Sequence, residues 1–281
     1  MARRGASGRN VVALVLVGAL LAGCGGGRTA PLDLEGFSAE EIFRRGEHEL
    51  ETSRRATDAI RYFSEVERLF PYSAFARRAL IMQAYALHRD RNYEEARRVA
   101  QRFLDTYPGD EDAAWAQYLI ALSFYDQIEE VGRDQGLTFQ ALRALRDVIE
   151  RYPDSEFARS AILKFDLAFD HLAGKEMEIG RFYLRQRQYV AAINRFRVVV
   201  EDFETTTHTP EALHRLVEAY VALGLTDEAQ TAAAILGYNF QASPFYDDSF
   251  RLLTGQGLAP DAAGEGWLRD LYRQTLRGDW L

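Results

Sequence analysis

The chain has 281 residues, 47% of them hydrophobic and 27% charged, with 34 basic side chains against 42 acidic ones and a single cysteine. Those proportions belong to a folded globular protein and exclude wholesale disorder, an internal disulfide framework and the basic field that nucleic acid binding needs. A chain of this length can bury one large core or an extended array of small ones.

Arg3, Arg4 and Arg9 precede an apolar run over residues 11–21 that is too short to span a bilayer. Small residues follow at Ala22 and Gly23, so residues 1–23 read as a secretory signal peptide. Leu21-Ala22-Gly23-Cys24 is similar to the lipobox of bacterial lipoproteins, in which the cysteine is acylated and becomes the mature N-terminus. Acyl chains there would anchor the protein stably, since each buried methylene contributes about 0.8 kcal/mol. Gly25 after the cysteine, by resemblance to other lipoproteins, points to sorting to the outer membrane. Without residues 1–23 the chain carries 31 basic against 42 acidic side chains, a net charge of −11. Residues 24–37, Gly-rich with Pro31, read as a flexible tether.

From Ser38 the apolar period becomes helical, with Ser38 and Glu41 in capping-box spacing. Second helices expected over 58–70, 93–107 and 138–152 each end on an aromatic followed by Pro71, Pro108 or Pro153. The prolines stand 37 and 45 residues apart, near the ~34 of a tetratricopeptide repeat. Small residues recur early in each second helix, at Ala59, Ala96, Ala141, Ala192 and Ala229. Large apolar ones recur in the first helices, at Phe43, Leu80, Trp115 and Leu213. A small residue lets two helices approach, and an aromatic fills the gap to the next pair.

The clearest unit is 175–200. Tyr189, Ala192, Ile193, Phe196, Val199 and Val200 line one helical face, and the polar run 185–188 breaks the stripe as a helix–helix turn would. Gly180 and Tyr183 occupy the glycine and tyrosine slots of the repeat, Gly180 allowing close approach. Glu204 stands where this unit's proline belongs. The expected fold is all-α: a tetratricopeptide-like superhelix over 38–253 of about five hairpins, roughly 38–72, 73–109, 110–154, 160–205 and 209–240, closed by a capping helix over 244–253. The third hairpin carries a longer loop around 129–136, with Gly132 and Gly136, either a functional excursion or a tolerated insertion. Residues 254–281 read as a linker and a short amphipathic helix with Trp267, Leu268, Leu271 and Tyr272, docking on its own domain.

No catalytic constellation emerges, and no cofactor is implied. The five histidines (His48, His88, His171, His208, His214) lack metal-ligand spacing, and no Gly-rich phosphate loop joins a strand to a helix. Asp166, Asp170, Glu176 and Glu178 around His171 read as a solvated, arginine-paired helix surface rather than an acid/base pair. The chain reads as a scaffold. Arg181 and Arg185, four apart on one helix, are joined by Arg187, Arg195 and Arg197. This group is either a docking patch for a carboxylate-bearing partner or a set of ion pairs between neighbouring repeats, and spacing leaves both open. A second surface is the groove of the first three hairpins. Arg44, His48, Ile81, Tyr85, His88, Ala116, Ile120 and Phe124 fall on its inner face and suit an extended peptide with an aromatic and a carboxylate. Tyr85 and Phe124 fit inter-repeat core as well.

These residues resemble the BamD family, tetratricopeptide lipoproteins of the outer-membrane β-barrel assembly machinery. The resemblance covers the lipobox and about residues 38–253. It rests on Phe70-Pro71-Tyr72-Ser73, Arg151-Tyr152-Pro153-Asp154-Ser155, residues 164–171 leading into 175–180, and Ala191-Ala192-Ile193-Asn194-Arg195. It implies a non-enzymatic scaffold, lipid-anchored at the periplasmic face of the outer membrane. Its C-terminal repeats would hold the periplasmic domains of the barrel-forming (BamA-like) subunit through Asn194 and Arg195, with Arg181 and Arg185 added from the basic patch. Its N-terminal repeats would receive the C-terminal aromatic signal of unfolded outer-membrane proteins, and other lipoproteins of the machinery are expected partners. The tail from Gly255 onward departs from shorter members. The alternative is a tetratricopeptide lipoprotein of division or pilus assembly; a peptidoglycan-acting enzyme lacks its catalytic residues.

Overall fold

Aromatic-proline junctions and capping serines cut the chain into helices. The structure, a computed structural model, describes residues 32–53, 55–261 and 267–272; the expected signal peptide, Cys24 and the expected tether up to residue 31 lie outside the described residues. Residues 39–281 form a unit separate from residues 1–38. Its helices are α1 (Ala39–Thr52), α2 (Thr57–Leu69), α3 (Ala74–Arg89), α4 (Tyr93–Thr106), α5 (Ala113–Tyr125), α6 (Gly136–Arg151), α7 (Glu156–Arg185), α8 (Tyr189–Asp202), α9 (Thr209–Leu223), α10 (Thr226–Asn239), α11 (Pro244–Thr254) and α12 (Trp267–Tyr272). Consecutive helices pack as pairs from α1/α2 to α9/α10, each first helix also touches the first helix of the next pair, and α11 covers α9 and α10. The described residues therefore form the expected all-α array of five hairpins with a cap.

The helix ends follow from local chemistry. Phe70, Tyr107 and Tyr152 leave the helical region at φ −133°, −130° and −131°, each N–H still donating to the carbonyl four residues back. The proline that follows cannot continue the ladder. Ser73 and Ser155 then restart it, each Oγ accepting from the backbone N–H three residues on at 3.1 Å, a cap worth about 1 kcal/mol. In the fourth unit, where Glu204 replaces the proline, hydroxyls close the turn instead. Thr206 Oγ1 donates to the Phe203 carbonyl at 2.8 Å and Thr209 Oγ1 to the Glu204 carbonyl at 3.0 Å. Within hairpins, Arg91, Arg187 and Gly224 take the left-handed conformation, φ 61°, 59° and 75°. This lets Asn92, Gln188 and Leu225 donate to the carbonyls of Leu87, Tyr183 and Tyr220. At the two arginines the conformation costs about 1–2 kcal/mol that glycine escapes.

The small-residue slots behave as their spacing predicts. Ala59, Ala96, Ala141, Ala192 and Ala229 are all fully buried. Gly180 does permit close approach: a Cβ there would lie 2.4 Å from Phe196 Cε1, and one at Gly46 would lie 2.7 Å from Phe63 Cε1. Phe43, Leu80 and Leu213 are core residues. Trp115 is not; it is half-buried, and Leu119, one turn on, fills the core.

The fourth hairpin differs from its sequence expectation. Its first helix starts at Glu156 rather than near residue 160 and runs 30 residues to Arg185. The loop between α5 and α6 packs on that extra length. Lys175 Nζ donates to the Gly132 carbonyl at 2.8 Å, and the Val131 methyls stand 3.7 Å from where a Gly174 Cβ would be. At the array's end, His214 Nδ1 lies 2.9 Å from Ser249 Oγ, tying α9 to α11. Burial pushes the His214 pKa down, against the pull of Glu218, so the ring is neutral there. Trp267 Nε1 donates to Tyr220 Oη at 3.3 Å, Arg197 lies 4.8 Å over the Trp267 ring, and Leu268 is buried.

Candidate functional site

Helix α5 reads Ala-Ala-Trp-Ala-Gln-Tyr-Leu-Ile-Ala-Leu-Ser-Phe-Tyr, apolar on every side. A helix of that kind has more apolar surface than one core face needs, and part of the surplus lines a cleft of roughly 780 Å³ between hairpins two and three. Tyr85 and His88 of α3 meet Trp115, Tyr118 and Leu122 of α5 there, and Arg89, Arg91, Tyr93 and Asp126 complete the lining. The Tyr85 and Trp115 rings lie 5.7 Å apart, and His88 meets Tyr93 edge-on at 5.3 Å. His88 Nε2 is 3.1 Å from Asp126 Oδ2, in ion-pair range but out of line for a hydrogen bond. Burial raises the Tyr118 phenol pKa, so its hydroxyl keeps its proton. Arg89 donates to the Leu50 carbonyl, while Arg91 projects from its turn and is exposed. Aromatic walls beside guanidinium groups suit an aromatic side chain next to a carboxylate.

Of the residues placed in this groove from sequence, only Tyr85 and His88 are brought together. Arg44 is exposed on α1 and paired with Glu40, and His48 is exposed one turn further along. Ile81 is a correction: it is fully buried in the core of hairpins two and three and offers no surface, because its face of α3 is the one that packs. Ala116 and Ile120 are buried for the same reason. Phe124 is half-buried, with the Arg97 guanidinium 4.3 Å above its ring. Arg89, Arg91, Tyr93, Trp115, Tyr118, Leu122 and Asp126 are groove residues that repeat spacing does not find; for Trp115, Tyr118 and Leu122 the all-round apolarity of α5 is a signal in the sequence.

The basic group divides. Arg195 Nη1 donates to Glu176 Oε2 at 3.0 Å within the fourth hairpin, and Arg181 Nη1 to Glu211 Oε2 at 2.7 Å across to the fifth. Both are thus internal ion pairs. The Arg195 side chain nonetheless keeps 42% of its surface exposed. Arg185, the last residue of α7, and Asn194 on α8 are exposed, and Arg185 makes no ion pair among the described residues. Of the acids around His171, Glu176 binds Arg195, Asp170 accepts from Thr207 N at 2.9 Å and faces His208 at 3.4 Å, and Asp166 and Glu178 are exposed. Among the described residues no helix is long and apolar enough to cross a membrane.

Comparison with known proteins gives one answer. The family YfiO, described as outer membrane lipoprotein, matches residues 36–235. The chain is 48% identical over 250 residues to the outer membrane protein assembly factor BamD of Caulobacter vibrioides, covering 89% of this chain and 82% of that one. It is 44% identical over 191 residues to BamD of Rickettsia prowazekii, covering 68% and 76%. Against BamD of Neisseria meningitidis serogroup A the identity is 27% over 250 residues, covering 84% and 93%.

Proposed function

The chain belongs to the YfiO family of outer membrane lipoproteins, and from that membership we propose that it is an outer membrane protein assembly factor, acting as a scaffold rather than an enzyme. The observation that carries this reading is the 48% identity, across 89% of the chain, to an assembly factor of that name. The same likeness weighs against a division or pilus lipoprotein. A hairpin array suits the task physically, since each repeat adds surface without a new core and several partners can bind along it.

Conditional depletion tests the function. Folded β-barrel proteins in the outer membrane are expected to fall several-fold, while soluble periplasmic proteins hold steady; unchanged barrel levels would overturn the reading. In the scaffold's division of labour, the cleft around Tyr85, His88 and Trp115 receives the aromatic, carboxylate-bearing ends of unfolded barrel proteins. The fourth hairpin, through Arg195 and Asn194 with Arg181 and Arg185 alongside, holds the periplasmic domains of the barrel-forming subunit. Other lipoproteins of the machinery join the same array.

Cys24 is the lipidated residue that tethers the chain to the periplasmic face of the outer membrane. Cys24→Ser removes the acylated sulfur, so the chain is expected to move from the membrane fraction to the soluble periplasm. Each acyl methylene withdrawn from the bilayer removes about 0.8 kcal/mol of anchoring. Membrane recovery equal to that of the parent, after a high-salt wash, would sink the anchor.

A further inference from the structure

We propose that the first half of α7 is a docking surface for a basic amphipathic helix of a partner protein, seated on Ile162, Leu163 and Leu167 with its cation in the neighbouring acidic cleft. Helix α7 runs 30 residues and α8, folded back on it, only 14. The Phe203 ring just past α8 lies 4.8 Å from that of Phe169, which marks where the coverage stops. Before Phe169 the helix is packed on one side, where Ala158, Ala161 and Ala168 are buried and Phe165 joins the core of the third hairpin. On the face left open, Ile162, Leu163 and Leu167 are 44%, 67% and 62% exposed. Adjacent exposed aliphatics of this size mark a binding surface more often than single ones do.

Leu167 also lines a cleft of roughly 510 Å³ into which Glu130, Asp170 and Glu178 project. The cleft's one lining arginine, Arg181, is already held by Glu211, and Lys175 turns its ammonium to the Gly132 carbonyl. The lining is therefore acidic on balance. His171, also in the lining, keeps a buried Nε2 with no hydrogen-bond partner among the described residues. An aliphatic seat leading into an acidic cleft selects a partner with leucine-like residues at helical spacing followed by Lys or Arg. From Leu163 to Glu178 the surface runs about 22 Å along the helix, the length of a partner helix of about 15 residues.

Two labelled 16-residue peptides test this by fluorescence anisotropy with the full mature chain: a leucine–lysine amphipathic helix and its leucine–glutamate counterpart. The lysine peptide is expected to bind and the glutamate peptide to fail. Leu163→Glu with Leu167→Glu is expected to weaken lysine-peptide binding at least tenfold, even though the added negative charge strengthens its electrostatic attraction; the loss thus isolates the aliphatic seat. Glu178→Gln should weaken binding severalfold and flatten its salt dependence, and Tyr72→Glu, on a fully exposed side chain elsewhere, should change nothing. Because the leucines are exposed, the double variant should melt like the parent. Should it not, Leu163→Gln with Leu167→Gln takes its place, with the same tenfold loss expected. Unchanged binding by the folded double variant, or equal binding of both peptides, overturns the proposal. So does a concentration-dependent dimer that the double variant abolishes, which would assign the face to a second copy of the chain.

Discussion

Phe196→Ala is expected to destabilise the folded array by about 3–5 kcal/mol, the usual cost of emptying a fully buried aromatic site. Phe196 is wholly enclosed between α7 and the fifth hairpin, among Met177, Ala192, Leu213 and Leu216. Little around it can collapse into the space. Gly180→Ala probes the same contact from the other side. On an open helix that change gains about 1 kcal/mol of propensity. Here the new methyl group meets the ring of Phe196 at 2.4 Å, and overpacking of this kind costs about 1–3 kcal/mol. The two changes are coupled: in the Phe196→Ala background the Gly180 methyl enters the vacated volume, so its cost should vanish or reverse. Urea denaturation of the four chains completes the cycle. Additive effects would mean that the close approach of α7 and α8 is not what the glycine provides.

Arg195→Glu is expected to weaken binding of the barrel-forming subunit's periplasmic domains by about 2–5 kcal/mol, the range for losing a hydrogen-bonded interfacial charge. The internal pair to Glu176 complicates the reading of that variant alone. At 42% side-chain exposure for Arg195 the pair itself contributes only about 0–1 kcal/mol to folding. The charge swap Arg195→Glu with Glu176→Arg restores the pair with its ends exchanged. If the guanidinium is needed by the partner at position 195, calorimetry will find binding still lost in the swapped chain. Rescue by the swap would mean that the pair only orients α8 on α7, and would remove Arg195 from the docking surface. Arg181, already bound across to Glu211, is expected to matter less to partner binding than Arg185, which holds no ion pair among the described residues.

The long helix shows why one boundary was not readable from the chain. Over 158–172 its buried residues are Ala158, Ala161, Ala168 and Leu172, facing α5 and α6; over 173–180 they are Ala173, Gly174, Met177 and Gly180. The buried stripe thus rotates as the helix changes neighbours. No single period fits both halves, and the sequence pattern places the start of this helix near residue 160 rather than at Glu156. Ile81 and Trp115 make the same point for the cleft. Both are large apolar residues at plausible first-helix positions, yet one packs and the other lines a cavity, because burial depends on how far adjacent hairpins are offset.

Apart from the start of α7, the helix ends, the five-hairpin plan and the close-packed slots at Ala59, Ala96, Ala141, Ala192, Ala229 and Gly180 were determined by the sequence alone, because each depends on residues within one hairpin: an aromatic before proline, a serine cap, a missing side chain opposite a ring. Tertiary structure alone decided that Arg195 meets Glu176 and Arg181 meets Glu211, that Trp115 opens to a cleft, and that α8 leaves half of α7 uncovered. Those outcomes depend on the register between helices distant in the chain, and a stripe of apolar residues specifies which face is buried without specifying how far along its neighbour it lies.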